Sequence, residues 1–341
     1  MPVQPESDHR AMYLIRLLIA TIALFLPGCG SRSDETTLRV FLADSLARPI
    51  RALAEAFEDQ HPGVRVEQVP SGSVLAARKL TRMNDQADLL AVADHLVIDQ
   101  MLRPKELADW SIHFATNEIG ILYTDMSRGA TELTPENWFQ ILGRAGVKVQ
   151  AANPHHDPCG YWTELCWRLA DIHYPSEAGG GTIHERMSEQ CGPAAERRTD
   201  AQLLLRLVES AGGVDYAFIY RSQALQHNLP FLRLPPQISL GAAKFIDTYR
   251  QVSIELPGEK KGQTVTKQGD AIIFALTIPR TAKRPELAEQ FVSFLLGPRG
   301  QAILKDEHMT LPDRPWTYDP AQILPATVRE HVDLRRRGDR R

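Results

Sequence analysis

Neither sign of charge dominates this chain. Its 341 residues carry 39 lysines and arginines against 42 aspartates and glutamates, a formal net charge of −3. With no global basic field, nothing points to nucleic acid as a partner. Long apolar runs are missing as well. The stretch from Leu17 to Leu26 is broken by Thr21, and a spanning helix needs about 20 apolar residues. Cysteine is scarce: Cys29, Cys159, Cys166 and Cys191 make no CxxC pair and no His/Cys spacing of a structural zinc site. No Walker-type Gly-Lys-Ser/Thr loop is present. Nor does the spacing assemble a nucleophile with a base and an orienting partner, so nothing here requires a reaction.

What the chain does have is apolar content. At 43% it supports one large or two medium domains with real cores. The charged fraction of 24% is that of an ordinary soluble protein. Near the N-terminus Arg16 precedes the short apolar stretch, and Pro27, Gly28 and Cys29 follow it. A positive start, a short apolar core and small residues before a cut read as a secretory signal. Leu26-Pro27-Gly28-Cys29 resembles a bacterial lipobox, which implies cleavage before Cys29 and acylation of that cysteine. An uncleaved membrane anchor is the competing reading. Residues 1–28 are therefore expected to be a lipoprotein signal peptide and residues 29–37 a polar tether. Glu6 and Asp8 are unlike a signal start, so Met12 is the expected initiator. The expected location is exported and lipid-anchored, in the periplasm or at the cell surface. Gly30 after Cys29 carries no aspartate retention signal, which in a bacterium with two membranes fits the outer one. With Cys29 lipidated, the odd number of remaining cysteines leaves at least one thiol unpaired. Which of Cys159, Cys166 and Cys191 pair, if any, stays open in an export compartment. Arg335, Arg336, Arg337, Arg340 and Arg341 read as a solvated tail, with contact to anionic lipid as the alternative.

Along the mature chain the pattern is β-α-β-α-β. Leu38–Leu42 reads as a strand and Ala47–His61 as a helix with Ile50, Leu53, Ala54 and Phe57 on one face. Val64–Val69 is a second strand, Val74–Met83 a helix and Asp88–Val92 a third strand. That rhythm marks a parallel sheet covered by helices. A second run follows. Its strands are Ile119–Tyr123, Val147–Ala151 and Val214–Ile219. Its helices are Trp138–Leu142, Tyr161–Ile172 and Asp200–Ser210, with a loop around Gly179-Gly180-Gly181. A strand over Ala271–Ile278 and a helix over Pro285–Leu296 then return to the first unit. The expected fold class is α/β, with two lobes, each a mostly parallel sheet flanked by helices. A ligand would bind beyond the carboxyl ends of the strands, in a cleft that closes by hinge motion.

Three loops sit where strands give way to helices. Ala43-Asp44-Ser45-Leu46 follows the first strand, and Ser71-Gly72-Ser73 follows the second. Serine hydroxyls donate hydrogen bonds, and backbone amides at a helix start lack partners. With the helix dipole they make an anion site that needs no lysine or arginine. Each serine can equally be a plain helix cap. The third loop, Asn153 to Tyr161, opens a helix that Asp157 can cap. Its adjacent histidines, His155 and His156, diverge if the segment is extended, which disfavours a metal site.

On these loops the chain from about Leu38 to Leu311 resembles the tungstate/molybdate-binding proteins of the archaeal type, relatives of the bacterial molybdate-binding proteins. The matching segments are Asp44-Ser45-Leu46, Ser71-Gly72-Ser73, Asp157-Pro158-Cys159-Gly160-Tyr161, Asp215-Tyr216-Ala217-Phe218 and Pro298-Arg299-Gly300-Gln301. The resemblance implies a periplasmic-binding fold holding an oxoanion between its lobes. Lobe 1 would take residues 38–117 and 263–325, lobe 2 residues 118–262, and residues 326–341 would form the basic tail. Carried over by position, Ser45 and Ser73 donate from the first lobe. Asp157 and the turn through Cys159 contact from the second, the segment at Ile219 contributes, and Tyr249 closes the site.

Two departures matter. Archaeal-type members carry a glutamate where this chain has Ile219. In that type an aspartate and this glutamate approach the metal centre, so here only Asp157 could reach it, and Ile219 can still offer its backbone amide. A carboxylate beside a dianion is otherwise repulsive, by about 4 kcal/mol for unit charges at roughly 4 Å and an effective dielectric of about 20. It must bond the metal, be protonated or turn away. Asp44 stands where a glycine is usual and adds a second acid. The resemblance thus implies a binding lipoprotein, not an enzyme, with no cofactor. It is expected to capture molybdate or tungstate, held in an ordinary tetrahedral state or with weaker expansion than in its relatives, and to deliver it to an ABC permease and ATPase. The chain is expected to be a monomer anchored to the membrane through Cys29. The alternatives are another oxoanion such as sulfate or phosphate, a degenerate sensor or scaffold, and an enzyme using Asp157 with His155 or His156.

Overall fold

The computed structural model describes residues 35–174, 181–200, 213–258 and 262–336. Several expectations lie outside these residues: the signal peptide, Met12, lipidation at Cys29, the loop at Gly179-Gly180, most of the helix from Asp200, and Arg337, Arg340 and Arg341.

Strand β1 (Thr36–Ala43) is the spine of the larger sheet. Leu38, Val40, Phe41 and Leu42 are all buried, which suits a strand covered on both faces. It pairs in parallel with β2 (Val64–Ser71) and β3 (Leu89–Val92). Helix α1 (Ala47–Glu58) connects the first two strands and buries Ile50, Leu53, Ala54 and Phe57, the stripe expected from their spacing. Helix α2 (Ser73–Arg82) connects the second and third.

The chain then runs through β4 (Ile112–Thr116) into β5 (Ile119–Leu122) of a second sheet. That four-stranded sheet also holds β6 (Val149–Gln150), β7 (Tyr216–Tyr220) and β8 (Phe231–Arg233), in the order β6-β7-β5-β8. Helix α3 (Pro158–His173) is buried along most of its length and packs on this sheet. A separate hairpin follows, β9 (Ser253–Pro257) against β10 (Thr264–Gln268). Strand β11 (Ile273–Thr277) then re-enters the first sheet between β3 and β4, antiparallel to both. Helix α4 (Pro285–Leu296) and helix α5 (Pro298–Asp306) follow it, broken at Gly297-Pro298 as the sequence indicates. Strands β12 (Trp316–Thr317) and β13 (Asp333–Leu334) complete a seven-stranded sheet, β13-β12-β4-β11-β3-β1-β2.

Parallel pairing is concentrated at β2-β1-β3, and the smaller sheet has one parallel pair, β6 with β7. The short strands β12 and β13 also pair in parallel, and the remaining pairs are antiparallel, among them β11 where the chain re-enters the first sheet. The two crossings lie side by side. Asn117 donates its backbone N–H to the Ile272 carbonyl at 3.3 Å and its side-chain amide to Ser222 Oγ at 2.7 Å. Part of the expected basic tail is ordered: Arg335 N–H donates to the Thr317 carbonyl at 2.8 Å, and its guanidinium lies over Trp316. Among the described residues no helix is long and apolar enough to cross a membrane.

Candidate functional site

Both serine loops stand at the carboxyl ends of parallel strands. After β1 the chain makes one 3-10 turn, Asp44–Leu46, before α1. Ser45 is buried and its hydroxyl has no hydrogen-bond partner among the described residues. The residues preceding that turn, α1 and α2 (Ala43, Leu46 and Gly72) make no side-chain capping bond. Ser45 and Ser73 are therefore not helix caps. Ser73, the first residue of α2, accepts the Ala93 N–H at 2.9 Å on its Oγ. That bond occupies a lone pair and leaves the hydroxyl proton available to donate.

Asp157 does cap its helix. One carboxyl oxygen accepts the Cys159 N–H at 2.9 Å and the other accepts the Asp200 N–H at 3.0 Å. Its hydrogen bonds thus come from backbone amides, not from His155 or His156. Burial pushes the Asp157 carboxyl up to about 7, against the two backbone bonds, and the nearby Asp44 charge adds to the rise. Burial also raises Asp44, although a hydrogen bond with Thr199 and the charge of Lys79 oppose it. An acid poised there carries its proton for much of the time at neutral pH. In that form it can donate to an anion instead of repelling it, one of the three options left open by the sequence.

Gly72 brings the second and third loops together. A β-carbon on it would overlap the His156 carbonyl and come within 3.2 Å of Asp157 Cα. Only glycine permits that approach. Beside this contact Arg78 reaches the His155 carbonyl at 3.5 Å and His156 Nδ1 at 3.0 Å. The loop that follows β2 therefore touches the loop that opens α3, and the serine and aspartate sets face one another across the two sheets.

Cys159 lies one turn inside. Its thiol approaches the Phe218 carbonyl at 3.9 Å, and it is further contacted by the Tyr220 backbone N–H. Cys159, Cys166 and Cys191 are all free and buried. Ile219 is buried within β7, opposite Gly120 of β5. Tyr249 is buried too, but its hydroxyl donates to the Pro236 carbonyl at 2.5 Å and accepts the Ala242 N–H at 3.2 Å. Those bonds commit it to the 236–242 loop, and no hydrogen bond joins it to Ser45, Ser73 or Asp157. Among the described residues no cluster of three His, Cys, Asp or Glu side chains is arranged to hold a metal ion.

Several residues of the site had no local signature. Thr199 and Asp200 reach Asp44 and Asp157 from a segment whose only sequence signal is an aspartate before an apolar run. Asp94, just past β3, accepts the Tyr161 hydroxyl at 2.6 Å and forms an ion pair with Lys267 of β10. The Lys267 ammonium also lies over the rings of Tyr161 and Trp162, 4.9 and 4.2 Å from their centroids. Burial works against the Asp94 charge, yet Lys267, His95 and the Tyr161 bond hold its carboxyl below the usual range. This cluster ties the end of β3, α3 and the hairpin together. A separate groove of about 690 Å³ is lined by His155, Glu164, His184 and Arg197 and includes none of Ser45, Ser73 and Asp157. Its ionic residues are paired internally, Glu164 with His184 at 2.8 Å and with Arg197 at 2.5 Å.

Comparison with known proteins places this arrangement among others. The family described as bacterial extracellular solute-binding protein matches residues 38–310. A solute-binding protein of Petrotoga mobilis is 36% identical over 83% of this chain and 87% of its own length. The molybdate/tungstate-binding protein WtpA of Thermococcus kodakarensis is 33% identical over 96% of this chain and 98% of its own. The fold resembles the periplasmic molybdate-binding protein of Azotobacter vinelandii, with a TM-score of 0.57 at 16% identity, covering 81% of this chain and all of that one.

Proposed function

The chain belongs to the bacterial extracellular solute-binding protein family, and from that premise we propose that it captures molybdate or tungstate and delivers it to an ABC importer. The family is one of binding proteins, not of enzymes. The single observation that supports an oxoanion most is the close approach of Gly72 to His156. It sets two buried, non-capping serines against a buried acid with a pKa near neutrality. Hydroxyls and amides then coordinate the anion, and no cationic side chain needs to touch it. The relatives named for molybdate and tungstate support that choice of oxoanion.

In this reading lobe 1 comprises residues 38–117 and 263–325 and lobe 2 residues 118–262. Ser45 and Ser73 donate from the first lobe. Asp157, the turn through Cys159 and the backbone of Ile219 contact from the second, and Tyr249 closes the wall behind them by fixing the 236–242 loop. Acylation at Cys29 holds a monomer to the membrane beside its permease. With Ile219 in place of a carboxylate, the anion stays tetrahedral.

Titration calorimetry with molybdate, tungstate, sulfate and phosphate tests the proposal. Molybdate and tungstate are expected to bind at about micromolar or tighter dissociation constants. X-ray absorption of the tungstate complex is expected to show four oxygen neighbours. Sulfate binding without molybdate binding would overturn the choice of anion, and six oxygen neighbours would overturn the tetrahedral geometry.

A further inference from the structure

We infer that the Tyr220 hydroxyl is a direct hydrogen-bond donor to the captured oxoanion, set at the floor of the cleft between the two sheets. The inference rests on the oxoanion reading above and adds a residue that the serine loops and the Asp157 turn did not include.

Tyr220 is the last residue of β7, paired with Ile119 at the end of β5 where the chain crosses between sheets. Its backbone N–H contacts the Cys159 sulfur, which pins the strand end to the first turn of α3, the turn that Asp157 caps. Its ring meets Phe274 of β11 edge-on, with centroids 5.5 Å apart and planes at 80°. Strand β11 lies beside β3, and the residue that follows β3, Ala93, donates to Ser73. The side chain therefore runs from the smaller sheet onto the larger one.

The residue is fully buried, and its hydroxyl makes no hydrogen bond among the described residues. The groups whose charge reaches it are Cys159, Asp157, Tyr161 and Asp200, which are the surroundings of the site. A buried hydroxyl without a partner is costly. Phenylalanine would fill the same space and keep the contact with Phe274 without that cost. The hydroxyl is thus of use to an acceptor that enters the cleft. Burial raises its pKa well above that of a free phenol, so it keeps its proton and stays a donor across the accessible pH range. A phenol donor also brings no charge into a site that already holds two acids.

The test is Tyr220→Phe, titrated with molybdate, tungstate and sulfate alongside the unaltered protein, with thermal unfolding of both ligand-free proteins. Loss of one hydrogen bond to a charged ligand should weaken binding about ten- to a hundredfold. The ligand-free melting temperature should stay the same or rise, because the substitution breaks no bond within the protein. Affinity unchanged within about twofold, where the unaltered protein binds, overturns this inference alone. A melting temperature several degrees lower with weakened binding also overturns it, since the hydroxyl would then be supporting the fold. Absence of oxoanion binding by the unaltered protein overturns the functional reading and this inference with it.

Discussion

Replacing Asp157 by asparagine should remove a specific component from the pH dependence of stability. In the fold its carboxyl is pushed up to about 7 by burial; in an unfolded chain an aspartate titrates near 3.9. A folded-state pKa above the unfolded value means that the native protein holds the extra proton. The contribution is fully present below about pH 4 and is lost as pH rises through about 7. Three pKa units at about 1.4 kcal/mol each amount to roughly 4 kcal/mol. Asparagine keeps the bond to the Cys159 N–H but turns an amide toward the Asp200 N–H. That costs a constant amount, so the slope with pH is the informative quantity, not the offset. Urea unfolding of both ligand-free proteins from pH 4 to 8 supplies it. The stability of the unaltered protein relative to Asp157→Asn should fall by about 4 kcal/mol over that interval. Asp44 is present in both and largely cancels. Oxoanion binding should show the same sign, with affinity falling toward tenfold per pH unit above pH 7. A flat difference, or one that grows with pH, would mean that Asp157 is ionised in the fold. The argument that it serves as a neutral donor would then fail.

Two further outcomes follow from the geometry. Gly72→Ala puts a methyl group onto the His156 carbonyl and should prop the two loops apart, weakening oxoanion binding by about tenfold or more and enlarging the radius of gyration by small-angle scattering; unchanged values of both would refute the contact. Lys267→Met leaves Asp94 buried without its cation, which should cost about 3–5 kcal/mol near pH 8. Because the Asp94 carboxyl is held low in the native state, its contribution is present above about pH 4 and is lost on acidification, so the deficit should shrink toward pH 4; a loss below about 1 kcal/mol by urea unfolding at pH 8 would remove the cluster as a stabilising element.

The parts of the fold that were legible are those written locally. The apolar stripe of Ile50, Leu53 and Phe57 predicts its helix, and the continuous run around Val40 predicts a buried strand. Ser45, Ser73 and Asp157 could be singled out because each lies in a short loop between a strand and a helix. The hairpin β9–β10 was missed although Ile254 and Leu256 alternate with polar residues in β9; Thr264–Gln268 is largely exposed and polar and offers no such pattern for a partner. The helix Ile183–Cys191 was missed although Thr182 and Glu185 form a capping box that the sequence displays. The two-residue strands β12 and β13 are too short to have a period at all. In the site the illegible members are Asp200, Tyr220 and Lys267. Each joins its neighbours only through contacts between distant segments, and no spacing along the chain encodes that.

The insertion of β11 between β3 and β4 sets an order on assembly. Both neighbours are made long before Ile273 leaves the ribosome, and until then each presents an unpaired apolar edge. The smaller sheet draws all its strands from residues 119–233 and can close first. The larger sheet must wait for the chain to come back, a non-local pairing of the kind that slows folding. A chain emerging end-first would thus pass through a stage with one finished sheet and one open sheet, vulnerable to edge-to-edge association. The loops of Ser45 and Ser73 sit at the carboxyl ends of β1 and β2, and so belong to the sheet that closes late.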